Sequence, residues 1–249
     1  MHRSRLKDSP RLRRFYVAGP LVSGVRRLEG SEAHHLTRVL RIGRGDQVTL
    51  FDGSGFSATA QVTDCASHFV QLTVSEPQTD GGDRPEIILA AAVPKGERFA
   101  WMIEKATELG ITRFVPLITE RSVVAPGEGK LEKMRRTIIE TSKQCGRNRL
   151  MSLATPVKWP EFVKTLAGPA AGWIADPAGE PCKPRDINST VPHVAAVGPE
   201  GGFTSAELDL AVRGGARLIS LGPRILRIET AALVLASLMA CSFPYSTET

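Results

Sequence analysis

"VAAVGPEGGFTSAELDLA", residues 194–211, has the outline of a nucleotide-binding turn but the spelling of neither common one. A run of small and β-branched residues ends at Gly198, glycines recur at 201 and 202, and a helix opens at Thr204. A P-loop would end in Gly-Lys-Ser/Thr and a dinucleotide turn would read G-x-G-x-x-G, whereas the glycines here fall as G-x-x-G-G. Thr204 and Glu207, three residues apart, fit a capping box, so a helix N-terminus follows the glycines directly. Its free N–H groups and dipole favour a negative or polar ligand group. Gly201 and Gly202 would let that ligand meet the main chain, where a Cβ would block it. The competing reading is a tight strand-to-helix turn that needs glycine for its dihedrals alone.

Downstream, "LISLGPRILRIETAAL" at 218–233 repeats the plan: a strand, an irregular turn with a proline, then a helix. Arg224, Arg227 and Glu229 sit within six residues of otherwise apolar chain. Two parallel strands ending in loops at one edge make a crevice, where open α/β sheets bind ligands. Arginines beside a buried helix are costly to desolvate without a partner, and a structural ion pair with Glu229 is the plain alternative to a functional role. The last helix, "ETAALVLASLMACS", is apolar nearly all round, which makes it core or a subunit interface.

The same strand–helix rhythm starts at residue 86, with strands at "EIILAAAV", "TRFVPLIT", "AGWIAD", "HVAAVG" and "RLISLG". Helices intervene at "GERFAWMIEKATELG", "KLEKMRRTIIETSKQCG" and "WPEFVKTLAG". This alternation predicts an α/β domain with a mostly parallel sheet. Residues 15–75 instead read as short alternating strands ("FYVAG", "QVTLFDG", "FSATAQVTD", "FVQLTVSE") around one helical piece at 31–41, the pattern of a small β-barrel. The polar, Gly/Pro-rich stretch 76–86 is the linker candidate. "GSGFSA" at 53–58 mimics G-x-G-x-x-A, but β-type sequence flanks it on both sides, so it reads as a hairpin turn.

Composition is that of an ordinary globular chain: 249 residues, 42% hydrophobic and 23% charged, enough for two cores. No apolar run approaches the ~18 residues of a membrane span, and the first residues lack the apolar core of a signal peptide. The four dispersed cysteines form no framework and suit a reducing cytoplasm. The adjacent His34 and His35, like the other histidines, lack metal-ligand spacing, so no metal is expected. The net charge of +6 is concentrated at the start, where residues 1–75 hold 11 Lys/Arg against 6 Asp/Glu. That points to a polyanionic partner or to a basic solvated surface.

"GPEGGF" followed by "LGPRILRIETA" closely resembles the 16S ribosomal RNA uridine-N3 methyltransferases of the knotted SPOUT superfamily. So do "RRFYV" at 13–17, "HHLTRVLRIGRGDQVTLFDGSG" at 34–55, "PKGERFAWMIEKATELGI" at 94–111, "ERSVV" at 120–124 and "KQCGRNRL" at 143–150, in the family's order. The resemblance implies an α/β fold: a basic arm over 1–14, a PUA-like RNA-binding β-barrel over 15–75, a linker over 76–86, and a trefoil-knot SPOUT methyltransferase domain over 87–249. It also implies S-adenosylmethionine as cofactor, 16S rRNA of the small subunit as partner, a homodimer, a cytoplasmic location and no membrane. The knot loops would hold the cofactor through Gly198, Pro199, Glu200, Gly201 and Gly202, the loop at Asp176, and 221–227. In that last loop Leu221, Gly222, Ile225, Leu226 and Arg227 would take part, with backbone groups of Leu221, Ile225 and Leu226 facing the adenine. Two departures fall outside those loops: Lys143-Gln144 stands where relatives carry Glu-Gln, and Met151-Ser152 where Pro-Glu is common.

For methylation of uracil N3, an arginine aimed at the flanking carbonyl oxygens would stabilise the charge left when the N3 proton departs. Arg227 is the first choice for that role and Arg224 the second. Glu200 is the best placed carboxylate to orient the base or take the proton, and a partner-subunit group such as Arg147 could fill either role. Because N3 lies on the pairing edge, the base must be unpaired or flipped. Candidate phosphate contacts are Arg14, Arg38, Arg41, Lys95, Arg147 and Arg149. The competing readings are a knotted methyltransferase acting on tRNA or on another target atom, and a non-catalytic RNA-binding protein on the same fold.

Overall fold

The computed structural model describes residues 12–66, 68–79, 85–167, 170–182 and 191–242. They fall into two compact units, one within Met1–Gly81 plus Lys143–Arg149, the other within Gly82–Ser142 plus Leu150–Thr249. Most of the arm expected over 1–14, and the centre of the 76–86 stretch, lie outside the described residues.

In the first unit, alternation puts every second side chain inside. The strands are β1 (Arg14–Tyr16), β2 (Gly24–Glu29), β3 (Gln47–Phe51), β4 (Phe56–Cys65), β5 (Phe69–Val74) and β6 (Gln78–Thr79). They form a six-stranded sheet in the order β1-β3-β4-β5-β2, with β6 beside β4. Val48, Leu50, Ala58, Ala60, Val62, Val70, Leu72 and Val74 point into one core with Phe15 and Leu36. The expected helix is one turn of α1 (Gly30–His34) followed by a π-helical turn, His35–Val39. "GSGFSA" is the β3–β4 hairpin turn, as its flanks predict. The sequence reading overlooked β2, an edge strand in which only Leu28 is buried, so its alternation is faint.

The second unit is built on a seven-stranded sheet in which every pairing is parallel. Its strands are β7 (Ile87–Ala92), β8 (Arg113–Ile118), β9 (Ser152–Leu153), β10 (Val157–Lys158), β11 (Ala171–Pro181), β12 (His193–Val197) and β13 (Arg217–Ser220). Their order is β10-β8-β7-β12-β11-β13, with β9 also on β8. The helices are α2 (Arg98–Glu108), α3 (Glu128–Cys145), α4 (Trp159–Val163), α5 (Ser205–Arg213) and α6 (Ile228–Ser242). Both faces of the sheet are covered, which explains the near-continuous apolar strands. On one face Leu89, Ala91, Phe114, Ala195 and Val197 pack with Phe99, Met102, Ile138, Leu235 and Met239 from α2, α3 and α6. On the other, Ala90, Val115, Ile174 and Ala196 meet Trp159, Phe162 and Ala211 from α4 and α5. Helix α6 is therefore mainly core. No helix among the described residues is long and apolar enough to cross a membrane.

Parallel strands bring their C-terminal ends to a single edge. The loops after β12 and β13 open there, beside the bulge within β11, where pairing with β13 slips between Ala175 and Glu180 and residues 176–179 leave the ladder.

Candidate functional site

Those three segments enclose a cleft holding about 650 Å3 of space between atoms, its open mouth included. Asp176 and Pro177 come from the β11 bulge, Val197 to Glu200 with Gly202 and Phe203 from the loop after β12, and Ser220 to Gly222 with Arg224, Ile225 and Leu226 from the loop after β13. Ile228 and Ala231 of α6 close the floor. The structure thus brings together nine of the residues expected to hold a cofactor. It does not place Gly201 or Arg227 on the lining.

The loop after β12 is braced from beneath. Thr204 and Glu207 form the capping box foreseen from sequence, with Thr204 N–H donating to Glu207 Oε2 at 2.9 Å and Glu207 N–H to Thr204 Oγ1 at 3.3 Å. The buried Glu207 carboxylate does more: its Oε1 accepts Glu120 N–H at 2.8 Å, tying the loop after β8 to the start of α5. Phe203 packs against Trp159 with ring centroids 4.4 Å apart and the planes tilted by 39°, and Trp159 Nε1 donates to Glu207 O at 2.9 Å. Phe203 also lies so close to Gly198 that a Cβ there would meet its ring at 3.0 Å. Gly202 closes a turn by donating to Pro199 O at 2.8 Å, at a φ of +70° that favours glycine.

Gly201 lies against Arg121. A Cβ on it would meet the Arg121 stem at 3.3 Å, not the cleft, and Arg121 Nη1 donates to Gly201 O at 2.6 Å. The Arg121 side chain crosses beside Gly201, and a Cβ there would press on that stem. Arg227 is likewise off the lining. It is exposed, and only its carbonyl has a described role, accepting Ala231 N–H at 2.9 Å in the first turn of α6. Nor does Arg227 pair with Glu229, whose carboxylate is 3.6 Å from Arg98 Nη1 of α2. Arg224 and Glu200 do line the cleft, and both are exposed.

The basic candidates separate by environment. Arg38 and Arg41 are exposed on and just beyond the π-helical turn, and Arg41 is the one described non-glycine residue at positive φ, +54°. A π-helical turn and a strained backbone are features that recur at functional sites. Lys95 is exposed in the loop after β7. Arg149 is exposed, its backbone bridged to Gly53 and Ser54. Burial pushes the Arg147 guanidinium down to about 10; nearby Cys145 opposes the shift and Arg149 adds to it, so the group stays charged at neutral pH. Arg14 departs from expectation as a phosphate contact. Its guanidinium bonds Asn148 Oδ1 and Arg147 O and lies over the Phe51 ring. Asn148, which the sequence reading passed over, is buried and also donates to Ser57 Oγ at 2.9 Å, so the pair anchors the segment carrying Arg147 and Arg149 on the barrel. Lys143, one of the departures noted above, pairs with Glu32 at 2.7 Å with only 8% of its side chain exposed.

Comparison with known proteins is consistent with this geometry. The family model described as an RNA methyltransferase domain matches residues 83–240, and the one described as an RNA methyltransferase PUA domain matches 28–75. The ribosomal RNA small subunit methyltransferase E of a Synechocystis strain is 36% identical over 214 residues, covering 83% of this chain and 70% of its own. A Legionella pneumophila protein solved in complex with the bound cofactor SAM superposes with a TM-score of 0.83 at 34% identity, covering 94% of this chain and 98% of its own. A ribosomal RNA small subunit methyltransferase E from Neisseria gonorrhoeae, solved bound to S-adenosyl methionine, gives a TM-score of 0.85 at 30% identity, covering 93% of this chain and 98% of its own.

Proposed function

The chain belongs to the RNA methyltransferase family, and on that premise we propose that it methylates N3 of a uridine in the 16S RNA of the small ribosomal subunit, using S-adenosylmethionine. Its fold is the α/β trefoil-knot (SPOUT) methyltransferase fold preceded by a PUA-like barrel. The observation that carries the proposal is the cleft at the loop ends of β11, β12 and β13, on a fold whose solved relatives hold this cofactor.

The residues of the cleft fit such a ligand. Phe203, Leu221, Leu226 and the exposed Ile225 offer apolar surface to a planar base, and glycine keeps the main chain accessible at 198, 202 and 222. Asp176 and Glu200 put negative charge on the lining, which would complement the positive sulfonium and amino groups of the cofactor. When bound, the cofactor supplies an electrophilic methyl group; the chain positions the reactants. Glu200 orients the uracil and takes its N3 proton, directly or through water. Arg224, on the lining, stabilises the charge that spreads to the flanking carbonyl oxygens, and Arg227 becomes the second candidate. The exposed Arg38, Arg41, Lys95 and Arg149, with Arg147, contact RNA phosphates. The chain works in the cytoplasm as a homodimer, in which a partner group such as Arg147 could complete the site.

The test is methylation of small subunits from a strain lacking the gene, followed by mass spectrometry of the digested nucleosides. Appearance of 3-methyluridine at one position supports the proposal. A methyl group on ribose or on another base, or methylation of tRNA alone, overturns it.

A further inference from the structure

We infer that Arg121 is a positioning residue for the cofactor loop, acting through the carbonyl of Gly201 on the direction of Glu200; this rests on reading the cleft as the S-adenosylmethionine site. The Pro199–Gly202 turn projects from the sheet edge, and Glu200 and Gly201 at its tip are exposed. No core contact holds that tip among the described residues. Arg121 does: Nη1 donates to Gly201 O at 2.6 Å, and the side chain lies along the place a Cβ would occupy, with Cδ at 3.3 Å and Cβ at 3.5 Å.

Arg121 is itself held in place. Thr119 N–H donates to Ser122 Oγ at 2.9 Å and Ser122 N–H to Thr119 O at 3.1 Å, which closes the loop after β8. Glu120 N–H is fixed by Glu207, whose other oxygen caps α5. The tip of the loop, through Gly201, and the helix start that follows it, through Glu207, are thereby both tied to one short loop some 80 residues away in sequence. Among the described residues Arg121 has no carboxylate partner, so its charge is directed at a peptide carbonyl. A charged donor on a carbonyl is stronger than a neutral one, and it fixes the Gly201–Gly202 peptide plane, which limits the turn that carries Glu200 one residue earlier. Glu200 then enters the cleft in one direction and need not search for it.

The experiment is calorimetric titration of S-adenosylmethionine into the full chain without RNA. Arg121→Met keeps the apolar stem and loses the donor; its affinity is expected to fall about tenfold, with an unchanged melting temperature. Arg121→Lys should recover part of that loss. Combining Arg121→Met with Glu200→Gln should cost less than the sum of the two single losses, because both act on one contact. Wild-type affinity in Arg121→Met, or strict additivity with Glu200→Gln, overturns the assignment. A wild-type chain that binds no S-adenosylmethionine overturns the reading of the cleft instead, a distinguishable result.

Discussion

Two loops face each other across the cleft and are built in opposite ways. The loop after β12 is locked: its turn is closed by Gly202, its aromatic foot packs against Trp159, and a buried carboxylate and an arginine hold it from below. The loop after β13 is open. Ser220 Oγ donates to Gly222 O at 3.3 Å, but Arg224 and Arg227 make no hydrogen bond or ion pair with their guanidinium groups among the described residues. Ile225 is 90% exposed, the most exposed large hydrophobic side chain described. A locked wall keeps its shape before the ligand arrives, which lowers the ordering cost of binding. An open wall carrying apolar surface and unpaired cations has groups that find partners only when something binds. The difference is one of prior order: the first loop is held by its own contacts, and the second leaves its arginines and Ile225 without partners among the described residues.

That contrast can be broken from either side. The largest effect is expected at Arg224 on the open loop. Arg224→Ala should cost about 100- to 1,000-fold in single-turnover methylation, the range for losing a donor aimed at developing negative charge. Stability should stay within about 0.5 kcal/mol, as for an ordinary surface substitution. A normal rate in a melting-competent variant would return the role to Arg227.

The locked loop should respond in the opposite sense. Glu207→Ala strands the N–H groups of Glu120 and Thr204 and removes half of a capping box, so denaturant unfolding should show a loss of about 2–4 kcal/mol. Cofactor affinity should fall with it. An unfolding free energy near wild type would mean that the brace is redundant.

The smallest effect sharpens the comparison. Ile225→Ser removes apolar surface that the chain alone leaves in water, so stability should not change. If the bound cofactor covers that surface, affinity should drop about five- to tenfold, in line with burial of part of an aliphatic side chain. Equal affinity by calorimetry would show that Ile225 faces something other than the cofactor.

Much of this was legible along the chain. Strand–helix alternation from residue 86, the barrel-like strands before it, the hairpin at "GSGFSA" and the Thr204–Glu207 cap all depend on neighbours within a few positions. Period and spacing report such contacts directly. The gathering of "GPEGGF" and "LGPRIL" at one crevice also follows from the sequence, since parallel strands must end at a common edge.

Tertiary packing alone decided which side chain of each loop lines the cleft. Irregular loops have no period, so nothing in "GPRILR" distinguishes Arg224, which lines the cleft, from Arg227, which does not. Gly201 read as space for a ligand because sequence cannot show Arg121 crossing it from 80 residues away. Glu207 read as a cap and no more, because its second oxygen meets Glu120, 87 residues distant. Likewise Arg14 anchors to Asn148 and Lys143 finds Glu32, at separations of 134 and 111 residues. The sequence determined the elements, the edge where they end and the chemistry collected there, because those depend on local pattern. Partners brought together by folding set the direction of each side chain, because a charge or a missing Cβ acquires its meaning from whatever packs against it.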